Sequence, residues 1–243
     1  MATSAWPGAG SRSRTIRAAE ERDPGPRAAC LRYGVVDAAV VQTSGRETPV
    51  TAPATHQSPG QRLASALLRA CGWRRVLVPP PAPKGIIVVY PHTSNWDFIL
   101  GILFKVAAGL PARWMGKDTL FRWPLRGLLL RLGGIPINRR ERTGFVNALL
   151  AEFDRHDWIW LAIAPEGTRS HTDHWKSGFY RIAVAGRLPV ALGFIDYATH
   201  TVGIDTYLTL TGDPEQDLAL IRRYYADKRG RRPEKAGTIR LRQ

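Results

Sequence analysis

The chain has 243 residues, 44% of them hydrophobic, enough for one packed domain with tails. Its 35 Lys and Arg against 20 Asp and Glu give a formal charge of +15, which implies an anionic partner: nucleic acid, an anionic membrane surface or a phosphorylated substrate. Two cysteines, Cys30 and Cys71, are too few for a disulfide framework or a zinc cluster, and no apolar run reaches the roughly 18 residues of a spanning helix.

Residues 1–60 are rich in Ala, Arg, Gly, Pro, Ser and Thr without sustained periodicity, and read as a disordered N-terminal tail or an over-extended start of the reading frame. The acidic, broken Glu20-Glu21-Arg22-Asp23-Pro24 argues against a transit peptide. A domain is expected over 61–228. It opens with a short amphipathic helix from Gln61 to Trp73, where Leu63, Leu67, Leu68 and Cys71 recur at helical spacing. Pro79-Pro80-Pro81-Ala82-Pro83 is a stiff connector into Ile86-Ile87-Val88-Val89-Tyr90, a short β-branched run that reads as a buried parallel strand. Pro91 cannot continue a ladder. Polar residues after it can open a helix that carries the apolar stretch from Phe98 to Val106.

A short strand is expected within 111–117. From Leu120 to Leu132, bulky apolar residues and Trp123 alternate with Arg122, Arg126 and Arg131. Two readings stay open there: a helix at a membrane interface, or a core helix whose arginines snorkel to the rim. Gly133-Gly134 ends that helix, and Ile135-Pro136-Ile137 is a short strand presenting Asn138, Arg139 and Arg140. Thr143 to Phe153 reads as a helix with Phe145, Leu149, Leu150 and Phe153 inward. Trp158 to Ile163 is a buried strand with Glu166-Gly167-Thr168-Arg169 at its far end. A helix from Gly178 to a stop at Gly186, strands at Val190–Ile195 and Thr201–Leu210, and a helix from Pro214 to Lys228 complete the domain. Residues 229–243 form a basic C-terminal tail expected to be loose.

Strands alternating with helices give an α/β fold, a mostly parallel central sheet flanked by helices. The polar clusters that follow strands would gather at one sheet edge, where such folds place ligands. His92 and Asp97 belong to the first cluster. Five apart in one regular helix they would point about 140° away from each other. With His92 in the turn before the helix, Asp97 can reach back to one ring nitrogen and leave the other as a base. A pair that merely caps the helix is the alternative.

Tyr90-Pro91-His92-Thr93-Ser94-Asn95-Trp96-Asp97, Gly133-Gly134-Ile135-Pro136-Ile137-Asn138-Arg139, Ala164-Pro165-Glu166-Gly167-Thr168-Arg169-Ser170 and Leu188-Pro189-Val190 follow one another along the chain. In order and separation they resemble the four motif blocks of the glycerolipid acyltransferase family, of the bacterial lysophosphatidic acid acyltransferase type, over residues 62–211. The resemblance implies a single domain of that family's fold, with His92 as base and Asp97 orienting it. It also implies an acceptor site that includes Arg139, Glu166, Gly167, Thr168 and Arg169. Arginine suits phosphate through its planar fork, and Gly167 would let backbone N–H groups approach an anion. Three positions depart from the family pattern. Pro91 precedes the histidine in place of asparagine, Pro136 replaces an aromatic residue, and Ala191-Leu192 stands where a second proline is frequent.

No Gly-x-Ser-x-Gly elbow occurs and neither cysteine lies in a block, so direct attack by an acceptor hydroxyl is expected rather than an acyl-enzyme. The resemblance implies transfer from acyl-CoA or acyl-carrier protein to a lysophospholipid, foremost 1-acylglycerol-3-phosphate, in phospholipid biosynthesis. Glycerol-3-phosphate, another lysolipid or a glycolipid are alternative acceptors, and a basic nucleic-acid-binding protein is the rival class. No nucleic-acid-binding motif organises the basic residues, so nucleic acid is not the expected partner. No metal or cofactor is expected, and His171-Thr172-Asp173-His174 reads as a solvated loop rather than a metal site. The expected location is peripheral, on the anionic cytoplasmic face of a membrane.

Overall fold

The computed structural model of the chain describes residues 57–137 and 145–242. Residues 1–56, in the expected N-terminal tail, and the Asn138-Arg139-Arg140 cluster lie outside the described residues. Helix α1 (Pro59–Ala70) starts slightly before the expected Gln61 because Ser58 caps it: the Gln61 N–H donates to Ser58 Oγ at 3.3 Å and the Ser58 N–H to Gln61 Oε1 at 2.7 Å. Its buried face is Ala64, Ser65 and Leu68, whereas Leu63, Leu67 and Cys71 face outward. The stripe read from the sequence is therefore split between core and surface.

Seven strands form one sheet in the order β1 (Arg74–Leu77), β7 (Thr201–Leu208), β6 (Val190–Asp196), β2 (Lys84–Val89), β5 (Ile159–Ile163), β3 (Ala112–Lys117), β4 (Gly134–Ile137). All pairs are parallel except β6 with β7. Only residues 197–200 join those two strands, too short a link for the crossover that a parallel neighbour requires. Strand β1 was not among the expected elements. It is an exposed edge strand whose only apolar residues are Val76 and Leu77. Gly203 lets it approach β7, since a Cβ there would run into the Val76 carbonyl.

Helices α2 (Asn95–Ala108), α3 (Arg126–Arg131), α4 (Phe145–Asp154), α5 (Gly178–Ala185) and α6 (Pro214–Tyr225) complete the domain. Side chains of β2 alternate between two cores, as a strand covered on both faces must. Ile86 and Val88 pack with Leu149, Phe153, Phe179, Ile182, Leu218 and Ile221 of α4, α5 and α6. Ile87 packs with Ala64, Leu68, Leu100 and Phe104 of α1 and α2. The expected α/β class with a mostly parallel central sheet is the observed one.

Two stretches differ from expectation. Leu120 to Leu132 is not one helix: a 3-10 turn (Asp118–Leu120) precedes the break at Trp123-Pro124, and α3 covers only Arg126–Arg131. Phe121 turns inward and stacks on Trp114, but Trp123 is 91% exposed, and Leu120, Leu125, Leu128 and Leu130 are also exposed. The core-helix reading fails here. The segment from Arg229, expected to be loose, is instead tied across the sheet edge. The Arg229 N–H donates to Asp196 Oδ1 at 3.0 Å and the Tyr197 N–H to the Arg229 carbonyl at 2.9 Å. Further along, the Thr238 N–H donates to the Thr172 carbonyl at 2.8 Å and Ile239 is buried in the core.

Candidate active site

Because β2, β5 and β6 run parallel, their C-terminal ends deliver His92, Glu166 and Tyr197 to the same edge of the sheet. Helix α2 begins there with a capping box: Ser94 Oγ accepts from the Trp96 N–H at 3.2 Å, and Asp97 Oδ2 accepts from the Ser94 N–H at 2.8 Å. Asp97 Oδ2 also accepts from the Thr93 N–H at 2.7 Å, and Oδ1 from the Tyr197 hydroxyl at 2.8 Å. Three donors thus hold a carboxylate whose side chain is only 1% exposed. His92 Nδ1 lies 3.5 Å from Asp97 Oδ2, ion-pair range but longer than a hydrogen bond, with the histidine side chain 20% exposed. Asp97 therefore does both things that were weighed: it caps the helix and it faces His92.

Glu166 secures the backbone of this turn from below. Its Oε2 accepts from the His92 N–H at 2.9 Å and its Oε1 from the Gly237 N–H at 2.6 Å. Burial pushes its carboxyl from 4.5 up to about 7, although both N–H groups favour the charged form. Among the described residues no ion pair joins Glu166 to Arg169. Burial, with the Asp97 carboxylate beside it, also pushes the Tyr197 phenol above its usual range, so that hydroxyl remains a donor.

Gly167 closes the turn after β5 at φ 64°, its N–H donating to the Ala164 carbonyl at 3.0 Å. That N–H is committed to the turn. That positive φ favours glycine, whereas a Cβ there would meet only the flexible end of the Lys176 side chain. Thr168 is exposed, and its Oγ1 accepts from the Ser170 N–H at 3.2 Å. Arg169 is exposed and lines a cavity with Thr93 and Ser94. The structure thus gathers His92, Asp97 and Glu166 into one cluster and sets Gly167, Thr168 and Arg169 beside it. Arg139 lies outside the described residues. Pro189 of the fourth block sits at the other end of β6, where its carbonyl accepts from the Ile86 N–H at 3.0 Å.

Sequence reasoning missed Tyr197 and Gly237. Tyr197 was findable, since it directly follows an apolar strand parallel to the one before His92. Gly237 gave no signal, because it lies in a polar, Gly- and Pro-containing segment without periodicity. Among the described residues no group of three or more His, Cys, Asp or Glu could hold a metal ion. His171 Nδ1 is 2.9 Å from the Ala236 carbonyl, and His174 Nδ1 is 2.7 Å from Asp173 Oδ1, so the loop from His171 to His174 engages the C-terminal segment and itself.

A mostly parallel sheet with buried acids and a histidine gathered beyond its strand ends is the frame of an α/β enzyme. Residues 78–201, more than half of the chain, match the protein family described as Acyltransferase. The chain belongs to this family and is an acyltransferase, as the four motif blocks indicated. Among solved structures it is similar to the 1-acyl-sn-glycerophosphate (LPA) acyltransferase PlsC from Thermotoga maritima, at 17% identity over 69% of this chain and 73% of that one, with a TM-score of 0.48. No curated protein matches it.

Proposed function

We propose that the protein is a peripheral membrane O-acyltransferase that moves a fatty acyl group from a CoA or acyl-carrier-protein thioester to a lysophospholipid, foremost 1-acylglycerol-3-phosphate, in phospholipid biosynthesis. The observation that carries this reading is His92 facing the immobilised Asp97 at the strand-to-helix turn. Asp97 orients the ring from 3.5 Å, a separation that tightens to a hydrogen bond as the imidazole takes up a proton. The acceptor hydroxyl gives its proton to His92 Nε2 as its oxygen attacks the thioester carbonyl carbon. The C–S bond then breaks, and His92 returns the proton to the departing thiolate. Products are the ester and the free thiol, with no metal or cofactor required.

Glu166 is a positioning residue in this reading, since it holds the His92 backbone. Arg169 and, by resemblance, Arg139 hold the acceptor phosphate, with Gly167 and Thr168 shaping the turn beside it. The exposed ridge Leu120, Trp123, Leu125 and Leu128, with Arg122 and Arg126 between, supports docking on an anionic leaflet. Each basic residue near that surface contributes about 1 kcal/mol. No helix among the described residues is long and apolar enough to cross a membrane. The test is incubation with acyl-CoA or acyl-carrier protein and a panel of lysophospholipids and glycerol-3-phosphate, following thiol release and lipid product. Acceptor-dependent product is expected, strongest with 1-acylglycerol-3-phosphate; no transfer to any acceptor from either donor overturns the reading.

A further inference from the structure

Four cationic side chains meet where the C-terminal segment crosses the catalytic turn. A cavity of about 340 Å³ opens between the start of α2, the turn after β5 and this segment. Thr93, Ser94, Arg169, Arg231, Arg232 and Lys235 line it, and no carboxylate does. Among the described residues, none of the four cations has a carboxylate within ion-pair distance. Four positive groups around one hollow repel one another, an unfavourable arrangement unless an anion enters.

Beside the cavity the segment is held by its backbone N–H groups, and the Arg240–Asp173 ion pair at 3.2 Å ties it further along. The Arg232 N–H donates to Thr93 Oγ1 at 3.2 Å, and the Gly237 N–H to Glu166 Oε1 at 2.6 Å. Gly230 packs so closely on Thr93 that a Cβ there would lie 2.8 Å from the threonine Oγ1. The cationic heads are therefore not spent on anchoring. The Arg231 guanidinium lies 5.5 Å from the centre of the Trp96 ring, which steadies it at the rim.

We propose that the C-terminal segment completes a phosphate-binding pocket beside His92, with Arg231, Arg232 and Lys235 forming the wall that complements Arg169. Guanidinium forks and an ammonium match the charge and hydrogen-bond geometry of a phosphate ester. The acyl-transfer reading enters only in naming the molecules that bring the phosphate: the lysolipid acceptor through its headgroup, or the CoA donor through its nucleotide.

Calorimetry on the full chain distinguishes these sources. Four probes are titrated: CoA, pantetheine, a short-chain 1-acylglycerol-3-phosphate below its micelle concentration, and the matching monoacylglycerol. The proteins are the wild type, R231A/K235A, the length-preserving Arg231→Gln, and R155A/R187A as a charge control remote from the pocket. At least one phosphate-bearing probe should bind about tenfold or more weakly to R231A/K235A, more weakly to Arg231→Gln, and unchanged to the control. Its affinity should fall with salt, while its counterpart without phosphate is indifferent to the variants. Loss for CoA assigns the pocket to the donor, and loss for the lysolipid assigns it to the acceptor. Wild-type affinity of both variants for both phosphate probes overturns the proposal, as does a wild-type chain that prefers neither phosphate probe to its counterpart without phosphate. Turnover is scored separately. Transfer with unaltered ligand affinities removes the pocket and keeps the acyl-transfer reading, whereas altered affinities without transfer do the reverse.

Discussion

Replacing Glu166 with Gln should flatten the pH dependence of stability between about pH 4.5 and 7. Burial carries this carboxyl from 4.5 to about 7 in the folded chain. An acid raised on folding holds its proton more firmly when folded, so stability falls as pH rises through that window. The loss comes to roughly 3 kcal/mol once the group is ionised. Glutamine removes the titration but places an amide donor against one of the two N–H groups, His92 or Gly237, that now donate to the carboxyl. That mismatch costs about 1–3 kcal/mol at every pH, so the slope and not the offset is diagnostic. Urea unfolding of both proteins from pH 4.5 to 8 at fixed salt measures it. The wild-type stability should fall across the window by roughly 3 kcal/mol more than that of Glu166→Gln. Parallel curves would refute the buried, proton-holding carboxyl.

Three further outcomes follow from the packing. Tyr197→Phe deletes one of three donors to a buried carboxylate and should cost about 1.5–3 kcal/mol in urea unfolding, with kcat lowered and KM unchanged; a silent variant would remove Tyr197 from the site. Trp123→Ser with Leu128→Ser should shift unfolding by no more than about 0.5 kcal/mol, because both side chains are exposed, yet reduce sedimentation with anionic vesicles. Undiminished sedimentation would dismiss this ridge as the docking face. Gly203→Ala forces β1 away from β7 and should cost about 1–3 kcal/mol, read from the urea midpoint; an unchanged midpoint would mean that β1 adds nothing.

Which parts of this were legible depended on how local the determining physics is. The runs around Ile86, Ile159 and Val190 are short, apolar and bounded by breakers, so the central strands could be placed from the sequence. The His92–Asp97 spacing could be interpreted because one strand end and one helix start fix it. The antiparallel β7 was recognised as a strand but not by its direction, although residues 197–200 are short enough to have forced a hairpin. The split face of α1 was hidden because Ala64 and Ser65, too small to stand out in a hydrophobic pattern, are the residues that pack inward. The C-terminal segment was misjudged for a different reason: its order comes from backbone hydrogen bonds to Asp196, Thr93 and Glu166, contacts distant in sequence that periodicity does not encode.

The central claim is that His92 is the base, and its most direct test is His92→Ala assayed with acyl-CoA and 1-acylglycerol-3-phosphate beside the wild type. Loss of the proton acceptor should lower turnover about 100-fold or more while circular dichroism, urea midpoint and vesicle binding stay at wild-type values. Turnover close to wild type in a folded, vesicle-binding His92→Ala would contradict the mechanism.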